Sequence, residues 1–208
     1  MELRPWTISD IKELTSLCNT VDRRFLSDHL PNPYTEKDAA KWLKMVSENE
    51  AVSGIYRAIE EDGKLIGSIS VEKKHDDAEI GYMLLNEYSN KGLATEAVKQ
   101  VCTFAFKVLS LDQITANVFQ PNIASIRVLL KNGFKYKGAI TNAVIKDGNV
   151  YNLLIYRLTK DCNENLARFK KIKLKRNEYE TLQTILTSAG PAVGSDIRVS
   201  PTFYSETN

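Results

Sequence analysis

The sequence predicts an α/β sandwich, a mixed sheet with helices on its faces. Three observations predict it. Apolar residues alternate between a spacing near 3.6 and a spacing near two in an ordered series of segments. A strand–helix–strand crossover runs from Leu84 to Phe119. The chain of 208 residues is long enough for one sizeable core, and its 43% hydrophobic and 26% charged residues are ordinary for a globular protein.

A short strand is expected at Leu3 to Trp6. Thr7 with Asp10 three residues on, ahead of Ile11, Leu14 and Leu17, has the pattern of a helix N-cap. After a loop containing Pro31 and Pro33, Thr35 and Asp38 repeat that pattern and open a helix through Ala39, Trp42, Leu43 and Val46. From Ile55 the period shortens. Ile55 to Glu60 and Leu65 to Glu72 form a hairpin around Glu61-Asp62-Gly63-Lys64, and a third strand covers Ala78 to Leu85. Ala94 to Leu109 places Ala97, Val98, Val101, Phe104, Ala105 and Val108 at helical spacing. Ile114 to Phe119 is a strand, Asn122 to Lys131 a helix stopped at Asn132-Gly133, and Lys135 to Val144 and Val150 to Leu158 are the last strands.

No apolar run approaches the length that spans a bilayer, and the N-terminus lacks a basic-then-apolar leader, so a cytoplasmic protein without membrane contact is expected. Cys18, Cys102 and Cys162, with His29 and His75, have no metal-ligand spacing, and neither a metal nor a disulfide framework is expected. A net charge of +2 does not imply nucleic acid by itself.

The chemistry is expected at Ser89-Asn90-Lys91-Gly92-Leu93-Ala94-Thr95, between a strand and a helix. Small residues there let backbone N–H groups and the positive end of the helix dipole face an anion such as a pyrophosphate. Taken alone, a connecting turn explains this loop equally well. Two further segments accompany it in order: Glu79-Ile80-Gly81-Tyr82-Met83-Leu84, and Asn122 to Leu129 followed by Lys131-Asn132-Gly133-Phe134.

Together these three segments resemble the core motifs of the GNAT acyltransferases over roughly Leu3 to Leu158. The chain is most similar to the ribosomal-protein N-terminal acetyltransferase branch, with which it also shares Asp147-Gly148 before Tyr151, and Tyr156-Arg157-Leu158. The resemblance implies a mixed, mostly antiparallel central sheet with helices on both faces, in a domain over residues 1–160. It implies acetyl-CoA as cosubstrate, cradled by Ser89, Asn90, Lys91, Gly92, Leu93, Ala94 and Thr95, by the strand backbone at Met83, Leu84 and Leu85, and by Asn122 and Ser125. A splayed or bulged strand at Tyr82 to Leu85 would turn an N–H toward the thioester.

An ammonium must lose a proton before it attacks a thioester. Glu79 occupies the family's acidic position and is the candidate base; a solvated carboxylate at a strand end is the alternative. Ser125 matches the serine the branch is thought to use as the acid toward the leaving thiolate, unless it only satisfies the first turn of its helix. Three departures stand out. Ser89 replaces the usual Arg, Gln or Trp, Leu129 replaces the tyrosine acid of many family members, and Val144 falls where the branch carries a carboxylate. Either Glu79 or Asn152, a candidate substrate contact where a branch aspartate often lies, then compensates for it, or the acceptor differs.

The segment Phe25 to Trp42 joins the first two helices, which wall the acceptor pocket in this family. Asp28, His29 and Tyr34 are its candidate contacts to a cationic amine, while Trp42 is expected in the core. The acceptor is a primary amine, on a peptide or protein N-terminus or on a small molecule of the polyamine or aminoglycoside type. A non-catalytic acyl-CoA-binding regulatory module is the competing reading. Residues 161–208 form an extension. Its basic first part (Arg168, Lys170, Lys171, Lys173, Lys175, Arg176) fits an amphipathic helix or a strand suited to RNA, a ribosome, an acidic partner or a homodimer, or a solvated helix on the core; its end reads as mobile.

Overall fold

A computed structural model describes residues 1–27, 29–74 and 77–163. Of the extension expected over residues 161–208, residues 164–208 lie outside the described residues, as do Asp28, His75 and Asp76. The elements are β1 (Glu2–Arg4), α1 (Ile11–Thr20), α2 (Glu36–Asn49), β2 (Gly54–Glu61), β3 (Lys64–Lys74), β4 (Asp77–Leu84), α3 (Leu93–Val108), β5 (Gln113–Phe119), α4 (Ile123–Lys131), β6 (Lys135–Lys146) and β7 (Asn149–Thr159).

At the first helix the structure departs from the expected start. Thr7 caps a 3₁₀ turn, Ile8–Asp10, and α1 begins only at Ile11. The Asp10 carboxylate folds back to accept the Thr7 N–H at 2.7 Å and is gripped by Arg4 at 2.8 and 2.9 Å, which tightens the turn. At α2 the expected capping box forms: the Thr35 N–H bonds Asp38 at 2.9 Å and the Asp38 N–H bonds Thr35 Oγ1 at 3.3 Å.

The strands form one sheet in the order β1-β2-β3-β4-β5-β7-β6. All neighbours are antiparallel except β4 and β5. β3 and β4 pair without interruption from Lys74↔Asp77 to Gly67↔Leu84. By contrast, β4 and β5 pair only at Glu79↔Thr115 and then diverge toward their C-terminal ends. The fold therefore opens a cleft between its two central strands, where the rule for open α/β sheets puts ligands. β4 is splayed and carries no bulge; the bulges lie at Ile59/Glu60 and along β6.

Each face of the sheet is covered. Ala97, Val98, Val101 and Ala105 of α3 and Ile126 and Leu129 of α4 pack on Ile55, Ile59, Ile69, Ile114 and Tyr156. On the other face, Leu14, Leu17, Trp42, Leu43 and Val46 of α1 and α2 cover Tyr56, Ala58 and Met83. Trp42 is core, edge-on to Trp6 at 5.4 Å and to Tyr56 at 6.3 Å. Cys18 and Cys102 are buried small apolar groups; burial pushes the Cys18 thiol up to about 12 and raises Cys102 further, so both stay protonated.

Candidate functional site

A groove of about 680 Å³ opens at the end of the splayed strand β4. Its floor is the loop into α3. Asn90 at φ 60° and Gly92 at φ 83° are both left-handed, and Gly92 is the N-cap of α3 with no side chain bonded to the helix end. The N–H groups of Leu93, Ala94 and Thr95 are those a helix leaves without intrahelical partners, and these residues line the groove. A Cβ on Gly92 would meet nothing within 4 Å, so its φ and not crowding selects glycine. Asn132 ties the two helix ends together, donating to Thr95 O at 3.1 Å and to Val128 O at 2.9 Å. Arg24, Arg127 and Lys131 add positive charge to the lining, which also includes Ser89. Lys91 instead rests its ammonium over the Tyr88 ring at 4.9 Å.

The open edge of β4 completes this groove. The Leu85 N–H bonds Ile66 O at 2.9 Å, and alternation along the ladder turns the backbone groups of Tyr82 and Leu84 to the opposite edge, which β5 has left. Tyr82, Met83 and Leu84 line the groove, whereas the Leu85 N–H is spent on β3. Unpaired strand amides beside an uncapped helix end suit a ligand that carries both amides and a pyrophosphate, as coenzyme A does.

A second cavity of about 80 Å³ lies between the diverging halves of β4 and β5. Glu79, only 7% exposed, lines it. Asn117 Nδ2 donates to its Oε1 at 3.0 Å and Lys74 Nζ approaches its Oε2 at 3.1 Å. The solvated strand-end alternative is thereby removed. Directly across the ladder stands Glu72, whose carboxyl is raised above the usual range by burial, against the pull of Ser70 and Lys74. Phe25, Leu26 and Ser27 close the cavity opposite Phe119, with Phe25 and Phe119 at 5.8 Å and Phe119 edge-on to Tyr151 at 5.5 Å. Lys146, 7% exposed on β6, donates to Leu26 O at 2.6 Å and pins this loop from behind.

The two cavities meet. Phe25, Leu26, Tyr82, Asn122 and Ser125 line both. Asn122 caps α4, accepting the Ser125 N–H at 3.1 Å, and Ser125 Oγ lies 2.8 Å from the Tyr82 hydroxyl. Ser125 thus spends its hydroxyl on a residue 43 positions away and not on its own first turn. Leu129, where a tyrosine was absent from the pattern, is fully buried core.

The remaining predicted contacts lie elsewhere. His29 is exposed and Tyr34 is 3% exposed in the core under α1 and α2, its backbone held by Asn19 at 2.8 and 2.9 Å. Asn152 accepts the Asn142 N–H at 2.9 Å and donates to Gln120 Oε1 at 2.8 Å, so its amide stitches the irregular stretch of β6 to the end of β5. None of the three lines either cavity. Tyr82, Ser27, Asn117, Phe119 and Lys146 are the residues that sequence reasoning passed over. For Tyr82 a signal existed, since a tyrosine in a buried strand needs a partner for its hydroxyl. For Lys146 none did.

Comparison with known proteins agrees with this geometry. A family model described as an acetyltransferase (GNAT) domain matches residues 1–135. "Uncharacterized N-acetyltransferase YoaA" of Bacillus subtilis is 34% identical over 130 residues, covering 61% of this chain and 66% of that protein. "Probable N-acetyltransferase YjcK" of the same organism is 37% identical over 148 residues, covering 65% of this chain and 81% of that one. Among solved structures, a ribosomal L7/L12 alpha-N-protein acetyltransferase in complex with coenzyme A superposes with a TM-score of 0.70 at 17% identity, covering 77% of this chain and 94% of that chain, a likeness of fold.

Proposed function

The chain belongs to the GNAT acetyltransferase family, and from that premise we propose that it transfers acetyl from acetyl-CoA to a primary amine by direct attack. The observation that carries this reading is the seam. The groove suited to a pyrophosphate and amides and the cavity holding a buried carboxylate share Tyr82, Asn122 and Ser125, which is where a donor in one and an acceptor in the other would come together.

Acetyl-CoA supplies an activated acyl group on a leaving thiol. The backbone of Leu93, Ala94 and Thr95 with Arg24, Arg127 and Lys131 would hold its phosphates, and the open edge of β4 its amides. Glu79 keeps lone pairs on both oxygens beyond its bonds to Asn117 and Lys74, and takes a proton from the acceptor ammonium directly or through one water. The amine then bonds to the acetyl carbon, the C–S bond breaks, the surplus proton on nitrogen passes to the departing thiolate, which leaves as the thiol, and the Ser125 hydroxyl stabilises the charge as it develops on sulfur. The splayed strand offers the Leu84 or Tyr82 N–H to the carbonyl oxygen.

The second cavity limits the acceptor. Its lining sets Glu79 beside Phe25 and Phe119, which suits an unhindered cationic amine. A peptide N-terminus with a small first residue and a polyamine both meet that requirement. Incubation with acetyl-CoA and a panel of peptides, polyamines and aminoglycosides should release free thiol with at least one class. Silence across the panel, with coenzyme A binding intact by calorimetry, would leave a binding module in place of an enzyme.

A further inference from the structure

We propose that Tyr82 is a positioning residue that aims the Ser125 hydroxyl at the leaving sulfur, by donating its own hydrogen bond into Ser125 Oγ. This rests on the role given above to Ser125. The two hydroxyls are 2.8 Å apart, and the Tyr82 hydroxyl also lies 3.3 Å from the Ser125 carbonyl oxygen. Each hydroxyl has a single proton. When Tyr82 donates to Ser125 Oγ, the Ser125 proton is left for another acceptor, and Ser125 lines both cavities, where a bound group can take it.

The Ser125 N–H is held by Asn122 at 3.1 Å at the start of α4, so the hydroxyl rotor is the main freedom left to this residue. Tyr82 settles that rotor. Burial pushes the Tyr82 phenol up, so it stays neutral and keeps its proton through the reaction. A bond received by Ser125 Oγ in turn strengthens the bond that Ser125 donates. As the amine nitrogen bonds the acetyl carbon, the C–S electron pair departs on sulfur; Glu79 has already taken the ammonium proton, the second proton leaves the nitrogen for the thiolate to give the thiol, and the Ser125 hydrogen bond holds the sulfur while its charge develops. The phenol comes from β4, across the cleft from the α4 position where Leu129 holds no hydroxyl.

A double-mutant cycle tests this. Ser125→Ala should lower kcat by about 100-fold, as loss of one preorganised donor does. Tyr82→Phe, which keeps the ring in place, should lower kcat by about tenfold, with KM for acetyl-CoA changed by less than about twofold. The double variant should be no slower than Ser125→Ala alone, because Tyr82 acts only through Ser125. Losses that multiply to about 1000-fold, or a Tyr82→Phe enzyme with unchanged kcat, overturn the proposal. If Ser125→Ala itself is fully active, the reading of Ser125 fails and this inference fails with it; if only Tyr82→Phe is silent, the failure is confined to Tyr82.

Discussion

The donor side and the acceptor side of the cleft are built by different means. The donor groove is made from regular elements at their ends: the edge of β4, the uncapped start of α3 and the first turn of α4. Backbone N–H groups at the start of α3 face it, with Gly92 fixing their direction through its φ and Arg24, Arg127 and Lys131 adding side-chain charge. The acceptor cavity is made from side chains on irregular chain: Phe25 to Ser27 in a loop, held by Lys146 from a strand 120 residues on. Backbone-built sites tolerate drift in sequence, and side-chain-built sites use it to change specificity.

The largest expected effect falls at the carboxylate of the acceptor cavity. Glu79→Gln preserves the bond from Asn117 and removes the proton acceptor; kcat should drop by about 100-fold or more while coenzyme A affinity by calorimetry stays within about twofold. An equal loss of affinity would mean that the carboxylate organises the donor side as well.

Next in size is a change confined to the donor side. Gly92→Ala forces a Cβ onto a residue at φ 83°, at a cost of about 1–2 kcal/mol. The amides of the loop then turn from the groove, and KM for acetyl-CoA should rise about tenfold with kcat at saturation retained. Unchanged KM would show that the side chains of Arg24, Arg127 and Lys131 carry the phosphates without the nest.

Smaller again is the acceptor-side counterpart. Lys146→Met keeps the stem and deletes the donor to Leu26 O, costing about 1 kcal/mol of loop order. KM for the amine should rise about fivefold and that for acetyl-CoA by less than about twofold. The same shift in both would identify Leu26 as a member of the donor groove first.

This division also explains what could be read ahead of the structure. The helices and strands followed from period and caps, because those signals are local: Thr35 with Asp38, the turn at Asp62-Gly63, the apolar face of α3. The candidate donor loop could be picked out for the same reason, its residues being consecutive. Residues of the acceptor cavity come from β4, β5 and the Phe25–Ser27 loop, and no spacing rule links Asn117 to Glu79 or Lys146 to Leu26. Tyr34 lies in the same Phe25 to Trp42 segment as the cavity wall, but its ring lowers its free energy more by packing under α1 and α2 than by facing a cavity, and His29 is exposed.

Asn152 gives the smallest effect and the sharpest contrast. Position alone makes it the substitute for a carboxylate missing at Val144, yet both ends of its amide are engaged, by the Asn142 N–H and by Gln120. β6 passes from Ile140↔Leu153 to Val144↔Tyr151, so three residues stand against Asn152 alone, and without its oxygen the Asn142 N–H loses its partner. Asn152→Ala should therefore lower unfolding stability by about 1–2 kcal/mol in urea titration and leave kcat and both KM values within about twofold. Asn152→Asp keeps the oxygen for Asn142 and faces Gln120 with a carboxylate, which the Gln120 amide can meet by rotating its own donor inward. If Asn152→Asp instead raises kcat, the carboxylate function of the related enzymes acts from this strand, and the boundary between framework and acceptor site has to move to include it.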